Sequence, residues 1–251
     1  MTDRRATYSE AFYRDRDAMT RHAAETVLDF VFALEKPAGV VDVGCGTGTW
    51  LAAARRLGAT DCVGVEGTWL DPAQANTDSM TLHQQDLEAP IALDQAFDLA
   101  ISLEVAEHLT PARGPGFVAE LCGLAPMVLF SAAVPGQGGK HHVNERWQSY
   151  WADLFEGEGY TPVDIVRPAV WADDAVPYWY CQNTLLYLSE AKRTQLSDRL
   201  DTRPPRILDL VHPRQFALKH RDRVAVGRNA RLLLKAIGRS LRGDTTNAAG
   251  E

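Results

Sequence analysis

The sequence predicts an α/β fold: a seven-stranded, mostly parallel sheet with helices on both faces, followed by a helical C-terminal extension. Three observations predict it. Short apolar runs of strand length alternate with segments of helical periodicity along residues 8–188. The first such run ends in a glycine-rich turn, VVDVGCGTGTW, which lets a backbone bend sharply and a ligand approach it closely. The composition, 45% hydrophobic and 24% charged over 251 residues, is that of a globular domain large enough to bury such a sheet.

Each element has its own signal. Tyr8, Phe12, Tyr13, Met19, Ala23, Val27 and Val31 recur at helical spacing and predict a helix over 8–35. GVVDVG (39–44) reads as a buried strand, 47–57 as a helix, and DCVGVE (61–66) as the second strand. Residues 80–85 form a weaker third strand, and FDLAISL (97–103) the fourth. Residues 105–109 and 116–124 look helical, and MVLFSAA (127–133) is the fifth strand. A strongly amphipathic helix follows over 147–159, closed by Gly157 and Gly159. Residues 161–166 and 178–188 complete the sheet. A boundary near Arg203-Pro204-Pro205 divides a main domain (1–200) from an extension (201–251). In the extension Ala230, Leu233, Leu234, Ile237 and Leu241 form an apolar stripe suited to docking on the body or on a second copy, as in a homodimer; the tail from Gly243 is expected to be disordered.

Charge and cysteine usage narrow the function. Between residues 192 and 242 there are 14 Lys/Arg against 4 Asp/Glu; the remainder has 12 against 29. The acidic body would repel phosphates, which argues against a general nucleic-acid binder. The N-terminus lacks a signal-peptide pattern and no apolar run is long enough to span a membrane. Four scattered cysteines without a CxxC fit a reducing cytoplasm.

The spacing Asp42-x-Gly44-x-Gly46-x-Gly48 is not a dinucleotide fingerprint, because Thr49 stands where a third glycine would fall. It resembles the first motif of the class I S-adenosylmethionine-dependent methyltransferases. Glu66 at the end of the second strand, Asp86 in QQDLE and the run FDLAISLEVAEHL agree with that family in the right order. The resemblance covers roughly residues 20–190 and implies the Rossmann-like methyltransferase fold. It also implies a cofactor, S-adenosyl-L-methionine, bound by Asp42, Gly44, Gly46, Gly48, Glu66, Gly67, Trp69, Asp86, Leu87 and Leu103, with Glu66 on the ribose hydroxyls and Asp86 beside the adenine amino group.

Methyl transfer from a sulfonium needs an aligned acceptor and a destination for its proton. An aliphatic hydroxyl needs a general base, a metal, or both. GQGGKHHVNERW (136–147) leaves the fifth strand, and Glu104, Glu107 and His108 leave the fourth. Spacing of i, i+3, i+4 puts these three on one face of a helix. His142 and His141 are candidate catalytic groups beside Glu107 and His108; Glu104, Glu107, His108 and His142 are candidate ligands for Mn2+ or Mg2+. This pattern resembles the ExxEH…H site of small-RNA 2′-O-methyltransferases and the ExxEH of ubiquinone-pathway O-methyltransferases. Residues 131–188 resemble a bacterial group of glycan and natural-product methyltransferases, which places Asn144, Glu145, Trp147 and Tyr150 beside the acceptor. The implied activity is O-methylation of a hydroxyl on a sugar, an oligosaccharide or a glycosylated small molecule. A phenolic or natural-product O- or N-methyltransferase, an RNA 2′-O-methyltransferase and a non-catalytic binding module stay open beside it.

Overall fold

Alternating burial along the first strand sets the layers. In the computed structural model, which describes residues 10–224 together with 230, 233 and 234, β1 (Gly39–Val43) sends Val40 into one core and Val41 and Val43 into the other. The first core is closed by α1 (Glu10–Leu34) and α2 (Thr49–Leu57), through Ala23, Val27, Val31, Trp50 and Leu51. The second is closed by α3 (Gly114–Leu124) and α4 (Gln148–Gly157), through Phe117, Leu121, Trp151 and Phe155. Burying one such aromatic side chain contributes about 1.5–3 kcal/mol, so both faces of the sheet are tied down independently.

The remaining strands are β2 (Asp61–Glu66), β3 (Thr81–Gln84), β4 (Leu99–Leu103), β5 (Met127–Ser131), β6 (Tyr160–Val163) and β7 (Leu185–Ser189). They form one seven-stranded sheet in the order β3-β2-β1-β4-β5-β7-β6. All neighbours are parallel except β7, which runs antiparallel to β5 and β6. The order reverses direction between β1 and β4, so a crevice opens beyond their carboxyl ends, where open α/β sheets bind ligands.

Three local expectations change. Residues 105–109 form no α-helix: a 3₁₀ turn covers Ala106–His108, because the chain first bends at Glu104, whose φ is +58°. The expected strand over 161–166 is β6 followed by a short helix, α5 (Val166–Val170). The expected strand over 178–188 divides into α6 (Tyr178–Asn183) and β7. Pro177, fixed at φ −53°, opens α6, and Tyr180 then buries edge-on against Trp50 with ring centroids 5.3 Å apart. A further helix, α7 (Glu190–Leu196), is capped by Ser189.

A first compact unit runs through Leu210 and a second begins at Val211. The second contains α8 (Pro213–Val224). Of the apolar stripe, Ala230, Leu233 and Leu234 are helical and exposed, while Ile237, Leu241 and the tail from Gly243 lie outside the described residues.

Candidate active site

At one end of the crevice the ligand-facing surface is backbone. Gly44, Gly46 and Gly48 all adopt the left-handed region, with φ of 87°, 54° and 89°. A Cβ at Gly44 would stand 2.3 Å from Val105 Cγ2, and one at Gly48 2.8 Å from Met80. A side chain at any of the three would be strained by the backbone, and at Gly44 it would also overlap Val105. Glu66, at the end of β2, fastens it: one carboxylate oxygen accepts from Gly46 N at 2.8 Å and the other from Gly67 N at 2.7 Å. The Trp69 indole lies against Gly67, and Leu70, Leu87 and Leu103 are buried. Asp86 is exposed and caps the following turn through Glu88 N at 3.1 Å.

Asp42 precedes this turn, is 2% exposed, and its Oδ2 is buried without a hydrogen-bond partner among the described residues. Burial, and then the neighbouring Glu66 carboxylate, hold its carboxyl well above the ordinary range. Burial, with Asp42 and then Glu66 adding to it, pushes the Cys45 thiol well above its ordinary value. A buried acceptor without a donor, beside three glycines that give up their Cβ, suits a polar ligand pressed onto the loop.

The other end is built from side chains. Glu107, fully buried, His108 and His142 bring one ligand atom each within 4.8 Å of one another. The imidazoles of His108 and His142 meet edge to face, centroids 4.8 Å apart. His142 Nδ1 lies 2.9 Å from Glu145 Oε1, and its Nε2 lies 3.9 Å from Glu107 Oε1. Glu145 also accepts from Gly136 N at 2.8 Å and Gly138 N at 2.7 Å. Burial pushes the Glu145 carboxyl up, but the His142 hydrogen bond and the two amides outweigh it, so the net shift is downward. The loop is also pinned to the 3₁₀ turn: Val143 N and Asn144 N both donate to the Glu107 carbonyl, at 2.9 and 3.1 Å. A Cβ on Gly139 would stand 2.1 Å from His142 Nε2, so glycine is required there for the imidazole to take this position.

Glu104 departs from the expected metal set. It is 6% exposed and turns away into a polar cage, so the described cluster is Glu107, His108 and His142. Its Oε1 accepts from Ser131 Oγ at 2.9 Å and Asn183 Nδ2 at 3.0 Å, and its Oε2 from Gln137 Nε2 at 2.7 Å. The physical reason is the bend at its own Cα: the left-handed φ, which costs a non-glycine residue about 1–3 kcal/mol, takes Glu104 off the face shared by Glu107 and His108. His141 is the other non-glycine residue with positive φ among those described, at +59°; it is exposed and outside the cluster.

The acceptor-side expectations divide. Asn144 is buried, donating to Ala106 O at 3.4 Å and accepting from Arg146 Nε at 3.0 Å, so it braces the loop. Glu145 is occupied with His142 and the two glycine amides. Tyr150 packs against Trp151 and beneath the Arg146 guanidinium. Trp147 is 40% exposed. Sequence reasoning missed Ser131, Gln137, Gln182 and Asn183. The one signal was Gln182-Asn183, a polar pair interrupting the apolar run YWYCQNTLLYL.

The methyltransferase domain family matches residues 14–164. The ubiquinone biosynthesis O-methyltransferase of Methylobacterium sp. (strain 4-46) is 33% identical over 132 residues, 47% of this chain and 48% of that protein. The chain thus spans half or less of the length of the curated relatives it matches. Among solved structures, DesVI of Streptomyces venezuelae is similar with a TM-score of 0.57 at 16% identity, covering 75% of this chain and 99% of that one. Magnesium protoporphyrin IX methyltransferase of Synechocystis PCC 6803, crystallised with S-adenosylhomocysteine, gives a TM-score of 0.55 at 16% identity, covering 70% of this chain and 86% of that one. At these identities the solved structures establish a shared fold.

Proposed function

The chain belongs to the methyltransferase domain family, and from that premise we propose an S-adenosylmethionine-dependent O-methyltransferase that acts on a hydroxyl of a sugar or glycosylated small molecule. The observation that carries the O-methyl reading is the His142–Glu145 pair beside Glu107 and His108. A hydroxyl acceptor needs such a group; a carboxylate or phenolate needs little help.

The residues fit the cofactor. The glycine turn gives backbone contact, Glu66 ends the neighbouring strand where ribose hydroxyls are held in such folds, and Asp42 offers its buried oxygen. Bound S-adenosylmethionine supplies an electrophilic methyl group and a thioether leaving group. The protein handles the proton. Glu145 takes a hydrogen bond from His142 Nδ1 and so leaves Nε2 free to receive the acceptor's proton as the hydroxyl oxygen bonds to the methyl carbon and the methyl–sulfur bond breaks. The same three side chains, one carboxylate and two imidazoles, offer a mixed oxygen and nitrogen set that suits Mn2+ better than Mg2+. A divalent cation there would lower the pKa of a coordinated hydroxyl.

Exposed Trp147 offers the aromatic surface that sugar rings stack on. The chain has no disulfide among its four cysteines, and no helix among the described residues is long and apolar enough to cross a membrane. We place it in the cytoplasm on the strength of those thiols. The curated relative's printed name favours a second reading, O-methylation of a phenolic intermediate.

The test is mass spectrometry of products after incubation with methyl-labelled cofactor and a panel of mannosides, other sugars and phenols, with and without chelator. A labelled methyl ether on a sugar is the expected result. Label on phenols alone would select the second reading, and label on nitrogen alone would overturn both.

A further inference from the structure

We infer that Glu104 is a positioning residue: it clamps the loop after β5 through Gln137 and thereby sets His142 over Glu107 and His108. Its effect on turnover rests on the methyltransferase reading; its effect on the loop does not.

The cage is a directional network. Both oxygens of Glu104 accept. Ser131 Oγ donates to Oε1 and accepts from Glu104 N at 3.1 Å, so the strand ends of β4 and β5 are stitched together. Asn183 Nδ2 donates one hydrogen to Glu104 Oε1 at 3.0 Å and the other to Gln137 Oε1 at 2.9 Å. Gln182 Nε2 divides its two hydrogens between Asn183 Oδ1 at 2.9 Å and Gln137 Oε1 at 3.3 Å. Every amide orientation follows from the acceptor at its centre. Gln137 must present its nitrogen to Glu104 and its oxygen to α6; reversing it would set its NH2 against two donors.

Among these hydrogen bonds, Gln137 is the member of the cage that lies on the loop. It is buried, and its neighbours Gly136 and Gly138 carry the two amides that hold Glu145, which in turn holds His142. The line from Glu104 to the His142 imidazole therefore passes through one side chain, two peptide groups and one carboxylate. A left-handed φ occurs in a non-glycine residue at Glu104, where this line begins, and at His141, next to the residue where it ends; a site under positional constraint holds strain in such places.

The network predicts a reciprocal rescue. Glu104→Gln places an NH2 against the Gln137 NH2. Gln137→Glu places two carboxylates together. In the swap, Glu104→Gln with Gln137→Glu, the new amide donates to the new carboxylate, whose other oxygen still accepts from Asn183 and Gln182, so every bond is satisfied again. The experiment measures hydrogen exchange of residues 135–146, S-adenosylhomocysteine affinity by calorimetry, and methyl transfer to the best acceptor of the panel. Each single variant should exchange tenfold or more faster in the loop and lose tenfold or more in kcat, with KM and S-adenosylhomocysteine affinity within twofold. The swap should return both loop protection and kcat to within about threefold. Gln137→Ala, which leaves the β4 end untouched, should behave like the single variants if Glu104→Gln misfolds. Unchanged loop protection in Glu104→Gln and Gln137→Ala would overturn the clamp, as would a swap no better than either single variant, the result expected if Glu104 ligated a metal. Loop protection that follows the swap while no acceptor is methylated would leave the clamp standing and remove the function.

Discussion

The two ends of the crevice hold their groups by different means. At β1 and β2 the parts are close in the chain and mostly backbone: Glu66 reaches Gly46 across 20 residues, and the glycine turn defines the shape. At β4 and β5 they are side chains gathered from far apart: Glu104 meets Ser131, Gln137 and Asn183 across 27, 33 and 79 residues. A backbone turn tolerates little substitution but depends on few partners. A side-chain network has each member oriented by the others, so its function can be lost by a change that leaves the fold intact.

That contrast predicts separable defects, and the largest belongs to the side-chain end. His142→Ala should lower kcat by about 10²–10⁴-fold, the range for loss of a general base. Initial rates at saturating acceptor check it; near-wild-type turnover would place the proton elsewhere. If the imidazole acts alone, chelator leaves wild-type turnover unchanged; if a cation shares the task, chelator abolishes turnover and Mn2+ restores it, with Glu107→Ala and His108→Ala as damaging as His142→Ala. Next comes Gly139→Ala. Its methyl group would overlap His142 Nε2, so the imidazole must move by an ångström or more, and kcat should fall on the order of 10²-fold. Thermal unfolding should barely change, since the residue is exposed.

The smallest effect belongs to the backbone end and concerns stability. The Asp42 carboxyl is held above its unfolded value by burial and by Glu66. Such a group is not penalised below the unfolded value, near pH 4; its penalty grows as pH rises from there toward the folded value and stays above it. Asp42→Asn should therefore raise the melting temperature at pH 7, by about 2–4 °C if the gain is roughly 1 kcal/mol, and the gain should vanish as pH falls to about 4. A gain independent of pH would mean that charge burial is not its source.

Much of the backbone end was legible in the sequence, because glycine spacing and a strand-ending acid are local signals. Asp42, Gly44, Gly46, Gly48 and Glu66 all lie where the spacing put them. His142, Glu107 and His108 also converge, because parallel strands deliver neighbouring loops to the same edge. Glu104 misled for a physical reason. The i, i+3, i+4 rule holds only inside a helix, and a single left-handed residue at 104 breaks the periodicity before the turn begins. The cage was hidden because Gln137, Gln182 and Asn183 carry no spacing signal; they acquire a role only when α6 packs beside β5. The division of 178–188 into helix and strand was hidden for the same reason, since its aromatic content fits either state until Pro177 and Trp50 decide it.

The separation of the two ends is tested most directly by calorimetric titration of S-adenosylhomocysteine into the wild type, Glu66→Ala and His142→Ala. If Glu66 holds the ribose as proposed, its charge-assisted hydrogen bonds would be worth roughly 1.5–3 kcal/mol. One saturable site is expected in the wild type, with affinity weakened more than tenfold in Glu66→Ala and within twofold of wild type in His142→Ala. No binding to the wild type, or equal weakening in both variants, would contradict that separation.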